Sequence, residues 1–135
     1  MNKTVNDNLL LDTSVFSLLL KKNDSRAALY KPDIQGKILS ISFVTVGELY
    51  RWAYTHNWGP LRLQQLEDWL HKVVVINTHE EIAKQWARIQ SIPGQRHPDN
   101  DAWVAACALV HGCILVTHDR DYQNIPGLQI ISHLS

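Results

Sequence analysis

The sequence predicts an α/β fold built on a parallel sheet, and three observations carry that expectation. Short apolar runs recur along the chain: LLL before Asp12, ILSIS, VVVI and CILVT. Stretches with helical spacing separate them, as in βαβ units. Four acidic residues, Asp12, Glu48, Asp101 and Asp119, each fall where one of these elements begins or ends. In such sheets ligands bind outside the carboxyl ends of the strands.

The elements follow in order. Residues 8–11, closing on Asp12, read as a strand buried on both faces. Thr13 or Ser14 caps a helix through about Lys22. Residues 23–30 suit a short second helix, and Lys31-Pro32-Asp33 with Gly36 reads as a break. Residues 38–42 read as the second strand and 44–55 as a helix. Gly59-Pro60 places proline in a first helical turn. That helix runs to about Lys72, with Leu63, Leu66, Trp69 and Leu70 on one face. Residues 73–76 form a third, β-branched strand. Thr78-His79-Glu80-Glu81 has the pattern of a capping box opening a helix to about Gln90. Pro93, Gly94 and Pro98 mark a loop. Asp99 or Asn100 caps the next helix and Gly112 suits its end. Residues 113–117 and 128–131 are the fourth and fifth strands.

A length of 135 residues points to one domain over 1–135 with a core that needs no disulfide staples. Hydrophobic residues at 45% and charged residues at 19% are globular proportions. The formal net charge is zero, so the chain as a whole is no electrostatic magnet for nucleic acid. Setting the four acids aside leaves 13 basic against 9 acidic residues, a net of about +4. A basic rim around a neutralised acidic site is compatible with that balance. Cys107 and Cys113 read as small core residues in a reducing compartment, and no second pair supports a zinc site. MNKTVNDNLLLD lacks the apolar core and cleavage site of a signal peptide, and no apolar run reaches membrane-spanning length. A soluble cytoplasmic protein without membrane association is expected.

Four carboxylates gathered in one pocket repel one another, so either some protonate or a cation sits among them. Oxygen ligands without a Cys or His cluster favour a hard ion, Mg2+ or Mn2+. That chemistry suits a phosphate-containing substrate.

At these residues the chain resembles a known family. LLLDTSVF, ISFVTVGELY, NDAWVAACAL and LVTHDRDYQNIPGL resemble, in order, the four acidic blocks of PIN domains, and the VapC-type toxins among them. The resemblance covers nearly the whole chain and implies a three-layer α/β/α domain with a small, mostly parallel sheet. It implies an Mg2+- or Mn2+-dependent endoribonuclease, the toxin of a toxin–antitoxin pair. Such proteins are usually homodimers blocked by an antitoxin encoded beside them. Asp12, Glu48, Asp101 and Asp119 match the metal-binding, catalytic acids, and Thr117 the hydroxyl residue two positions before the fourth. Asp119 stands where many relatives have Asn. Asp99 and Asp121 are further acids near the matched ones.

Each residue also has a plainer reading. Asp12 is suited to capping a helix, Glu48 to pairing with Arg51 on its own helix, and Asp101 to the helix dipole. Asp119 and Asp121 are ordinary loop acids. Thr13 and Ser14 are helix caps or supports for Asp12. Arg51, Arg96, His97 and Arg120 are solvated charges or RNA-phosphate contacts. His118 is placed to touch substrate or move a proton. Trp52 and Trp103 are expected to pack beneath the site, while Trp58, with Tyr54 and Leu61, suits an exposed groove for a partner peptide. Three competing functions remain: a PIN-type nuclease for DNA or RNA maturation without an antitoxin, a receiver domain, and a catalytically silent RNA-binding or interaction module. The receiver reading lacks an Asp after the third strand and a late Lys.

Overall fold

Five parallel strands in the order β3-β2-β1-β4-β5 form the sheet: β1 (Asn8–Leu11), β2 (Ile38–Ser42), β3 (Val74–Ile76), β4 (Ile114–Val116) and β5 (Ile130–Ile131). All four strand pairings are parallel, among the described residues. The computed structural model describes residues 7–21 and 23–134. Lys22, where the first helix was expected to end, lies outside them, as do residues 1–6 of the leader reading.

The helices are α1 (Thr13–Leu20), α2 (Ser25–Ile34), α3 (Phe43–Thr55), α4 (Pro60–Leu70), α5 (Glu80–Gln90) and α6 (Asp99–His111). Alternation along β1 explains the layers, because successive side chains of a strand point to opposite faces. Leu10 joins Leu115, Ile82 and the alanine-rich face of α6. Leu9 and Leu11 join Val15, Phe16, Leu49 and Leu66 on the other face. All three β1 leucines are 0–1% exposed. The wholly apolar run is therefore what a central strand with helices on both sides requires.

Several boundaries differ from the sequence expectation. Asp12, not Thr13 or Ser14, caps α1: its Oδ1 accepts from Val15 N–H at 3.0 Å. The carboxylate at the strand end reaches the orphan donor first. Helix α2 does not stop at Tyr30 but runs through Pro32 to Ile34. Proline near the helix end forfeits one backbone bond, and Gln35 N–H to Lys31 O at 3.0 Å closes the turn. The capping box at Thr78 does not form; α5 starts one residue later, with His79 at the cap and no side-chain bond. Pro98, not Asp99 or Asn100, precedes α6, again without a side-chain cap bond. Gly112 does end α6 in the left-handed conformation, φ 64°. No helix among the described residues is long and apolar enough to cross a membrane.

Strand order sets the position of the site. Beyond β1 the chain winds to one edge through β2 and β3, and later to the other through β4 and β5. The order reverses between β1 and β4, where a crevice opens at the carboxyl edge.

Candidate metal centre

The register of β1 against β4 builds the centre of the site. Leu11 pairs with Val116, so Asp12 and Thr117 are the next residues out on adjacent strands. Thr117 Oγ1 donates to Asp12 Oδ2 at 2.5 Å, and the same oxygen accepts from Asp119 N–H at 3.0 Å. Ser14 Oγ donates to Asp12 Oδ1 at 2.6 Å and accepts from His118 N–H at 2.9 Å. Asp12 is only 3% exposed. Burial pushes its carboxyl pKa up, with the Asp119 charge in support and the bonds from Ser14, Thr117 and Val15 opposing.

Asp101, Asp119 and Asp121 each offer a carboxylate oxygen, and the three oxygens lie within 4.8 Å of one another. Asp101 lies in the first turn of α6, where the helix dipole favours a negative group. Even so, burial first, and then Asp119 and Asp121, push it up to about 7. Tyr122 O–H donates to Asp101 Oδ1 at 3.3 Å. Glu48, half-buried on α3, is tied in from the other side. Thr13 Oγ1 donates to its Oε1 at 2.7 Å and Asn100 Nδ2 to its Oε2 at 3.5 Å. These bonds, rather than an ion pair with Arg51, hold the glutamate.

The structure thus brings Asp12, Glu48, Asp101, Asp119, Thr13, Ser14 and Thr117 to one edge; the group whose oxygens meet consists of Asp101, Asp119 and the further acid Asp121, while Asp12 and Glu48 adjoin it. Asp99 is directed elsewhere: it accepts from Gln90 Nε2 at 3.2 Å, joining α6 to the end of α5. Arg51 lines a cleft of about 330 Å3 with Glu48. Arg120 lines one of about 270 Å3 with Asp119 and Tyr122. Arg96 is exposed in the loop before α6. His97 contacts Asp121, its Nδ1 bonding the backbone oxygen at 3.0 Å. Trp103 packs at the joint of α3, α5 and α6, stacked on Trp86 at 4.9 Å. Trp52 is 39% exposed and does not pack beneath the site.

Sequence reasoning missed a brace behind the site. Tyr30, fully buried, sets its hydroxyl 3.1 Å from Thr117 O and 2.5 Å from His118 Nδ1. The same oxygen accepts from His133 N–H at 3.0 Å. A lone tyrosine in a polar helix and a histidine 103 positions away leave no sequence pattern that joins them.

The donor set is carboxylate oxygen throughout, with no thiolate and no imidazole in the trio. It fits a hard divalent cation. A family model, PIN domain, matches residues 9–128. The chain belongs to the PIN domain family. Ribonuclease VapC4 of Mycobacterium tuberculosis is 31% identical over 130 residues, covering 91% of this chain and 95% of that one. Ribonuclease VapC1 of Haemophilus influenzae strain R2866 is 27% identical over 128 residues, covering 89% and 93%. VapBC-1 of nontypeable Haemophilus influenzae superposes with a TM-score of 0.76 at 26% identity, covering 92% and 96%. VapBC-5 of Mycobacterium tuberculosis, a member of the VapBC family of toxin-antitoxin systems, shares the fold with a TM-score of 0.66 at 24% identity, covering 94% and 98%. The PIN resemblance seen in the four acidic blocks is thereby established, together with the three-layer fold.

The raised Asp101 pKa has a consequence for the metal-free PIN domain. Between the ordinary carboxylate value and about 7, the folded state holds a proton that the unfolded state has released. Stability therefore falls as pH rises through that window. Thermal melts in chelator are expected to show a lower Tm at pH 8 than at pH 5, with a smaller drop in Asp101→Asn. Asp12, shifted in the same direction, leaves a residual slope in the variant. An equal drop in both proteins contradicts the assignment.

Proposed function

We propose that this PIN domain is a metal-dependent endoribonuclease, the toxin of a toxin–antitoxin pair, acting in the cytoplasm. The observation that carries the reading is the carboxylate trio at the crevice, joined to buried Asp12 through Thr117. Likeness over most of the chain to Ribonuclease VapC4 and Ribonuclease VapC1 supports a phosphodiester hydrolase acting on RNA.

Asp101, Asp119, Asp12 and Glu48 are the residues that would hold Mg2+ or Mn2+, with Asp121 as an added carboxylate. Such an ion, when bound, supplies Lewis-acid polarisation of the phosphate and lowers the pKa of water. Thr117 and Ser14 fix the Asp12 carboxylate, and Thr13 fixes Glu48, so the acids keep their spacing before substrate arrives. Arg51 and Arg120 flank the acids and would draw the RNA backbone to them. Water is the nucleophile, and no side chain forms a covalent intermediate.

The antitoxin reading rests on likeness to the VapBC proteins and on a groove of about 960 Å3. Leu20, Leu49, Trp52, Trp58, Leu61 and Leu66 give it an apolar lining. Arg62 covers the Trp58 ring at 3.9 Å. Tyr54, expected beside Trp58, is exposed but does not line it. A homodimer and a single functional unit over 1–135 complete the proposal.

Asp12→Asn is expected to lower cleavage of RNA by at least about a hundredfold while leaving Tm near or above that of the wild type. Excess chelator is expected to stop the wild type. Full cleavage in either case overturns the mechanism. Trp58→Ala is expected to weaken retention of the co-expressed partner encoded beside this chain by about tenfold or more, measured on the purified pair. Unchanged retention removes the groove from the partner site.

A further inference from the structure

Glu48, Arg51, Trp52 and Thr55 recur at three- and four-residue spacing on α3 and share one face of the helix, and His56 caps its end beside them. With Thr13 they line the 330 Å3 cleft. Its volume falls in the range of small-molecule sites. Glu48 and Thr13 belong to the acidic edge as well, so the cleft adjoins the proposed cutting site.

The lining is chemically specific. Trp52 exposes 39% of its surface and yet is braced. Its ring meets His56 edge-on at 6.0 Å and lies tilted 6.5 Å from Trp58. His56 Nδ1 lies 3.0 Å from the Trp52 carbonyl oxygen. A carbonyl only accepts, so Nδ1 carries a proton, and in the neutral imidazole Nε2 is then an acceptor. Arg51 adds a permanent positive charge in the same cleft, and Thr55 a hydroxyl.

We propose that this cleft is a subsite for one unpaired nucleotide of the RNA, adjacent to the phosphodiester that is cut. The base stacks on Trp52 and its phosphate meets Arg51. The ribose 2′-hydroxyl supplies the donor that a His56 acceptor suits. The inference rests on the nuclease reading and adds the residues of this chain that hold the nucleotide: Trp52, Arg51 and His56. A base inside a duplex is stacked on both faces and has none to offer a tryptophan, whereas a splayed base does.

The test uses Asp101→Asn protein, freed of its partner, as a background that binds without cutting. Anisotropy of a fluorescent single-stranded RNA with Mn2+ present reads the affinity, beside the same sequence as a duplex. Adding Trp52→Ala is expected to weaken single-strand binding about tenfold, with Trp52→Phe recovering most of the loss and duplex binding unchanged. Arg51→Gln is expected to weaken binding and lower the salt slope by about one. Equal affinity of Trp52→Ala and its parent, both shown folded by thermal melts, overturns the subsite. So does a Trp52→Phe variant as weak as Trp52→Ala. Cleavage by the wild type is scored separately. A protein that binds through Trp52 and never cuts keeps the subsite and loses the nuclease.

Discussion

Negative charges crowded at the carboxyl edge of a parallel sheet repel one another, and the rest of the site is arranged around that repulsion. Asp12 stands at its centre because β1 is the middle strand and the order reverses between β1 and β4. Nearly buried, its carboxylate is held by two hydroxyls and a backbone N–H rather than by a basic residue. Those bonds fix its position without neutralising it. Asp101 is pushed up to about 7, by burial first and then by the charges of Asp119 and Asp121. A divalent cation held there would offset the repulsion among these carboxylates.

Two clefts adjoin that centre. The cleft behind Glu48 carries Arg51 and Trp52, and the one behind Asp119 carries Arg120 and Tyr122. An overall charge of zero therefore conceals a local order of acids at the centre with arginines beside them. Trp52 lines both the Glu48 cleft and the large apolar groove between α1, α3 and α4. In the proposed function, one residue then borders the paths of substrate and of antitoxin, and a peptide seated over it covers part of the RNA surface.

Much of this was legible in the sequence because local patterns carried it. The apolar runs gave the strands, and acids at element ends pointed to the sheet edge where Asp101 and Asp119 meet beside Asp12. What was misread depended on which of two neighbouring groups satisfies a helix end. Asp12 displaced Thr13 and Ser14 as a cap, and His79 and Pro98 stood at caps where Thr78 and Asp99 had better side chains. Helix α2 passes Pro32 after burying Tyr30 completely. Asp121 joined the trio through the turn that Asp119 closes by accepting from Asp121 N–H at 3.0 Å, a feature that spacing alone does not reveal. The Tyr30–His118–His133 brace and the exposure of Trp52 depend on long-range packing and left no local signal.

Calorimetric titration of metal-stripped protein with Mn2+ at pH 7, beside Asp101→Asn, tests the central claim most directly. Run in two buffers of different ionisation enthalpy, it also counts protons. The account predicts saturable binding by the wild type with release of a fraction of a proton from Asp101, and binding at least about tenfold weaker in the variant. Mn2+ binding of equal strength in both proteins, or none in the wild type, contradicts it.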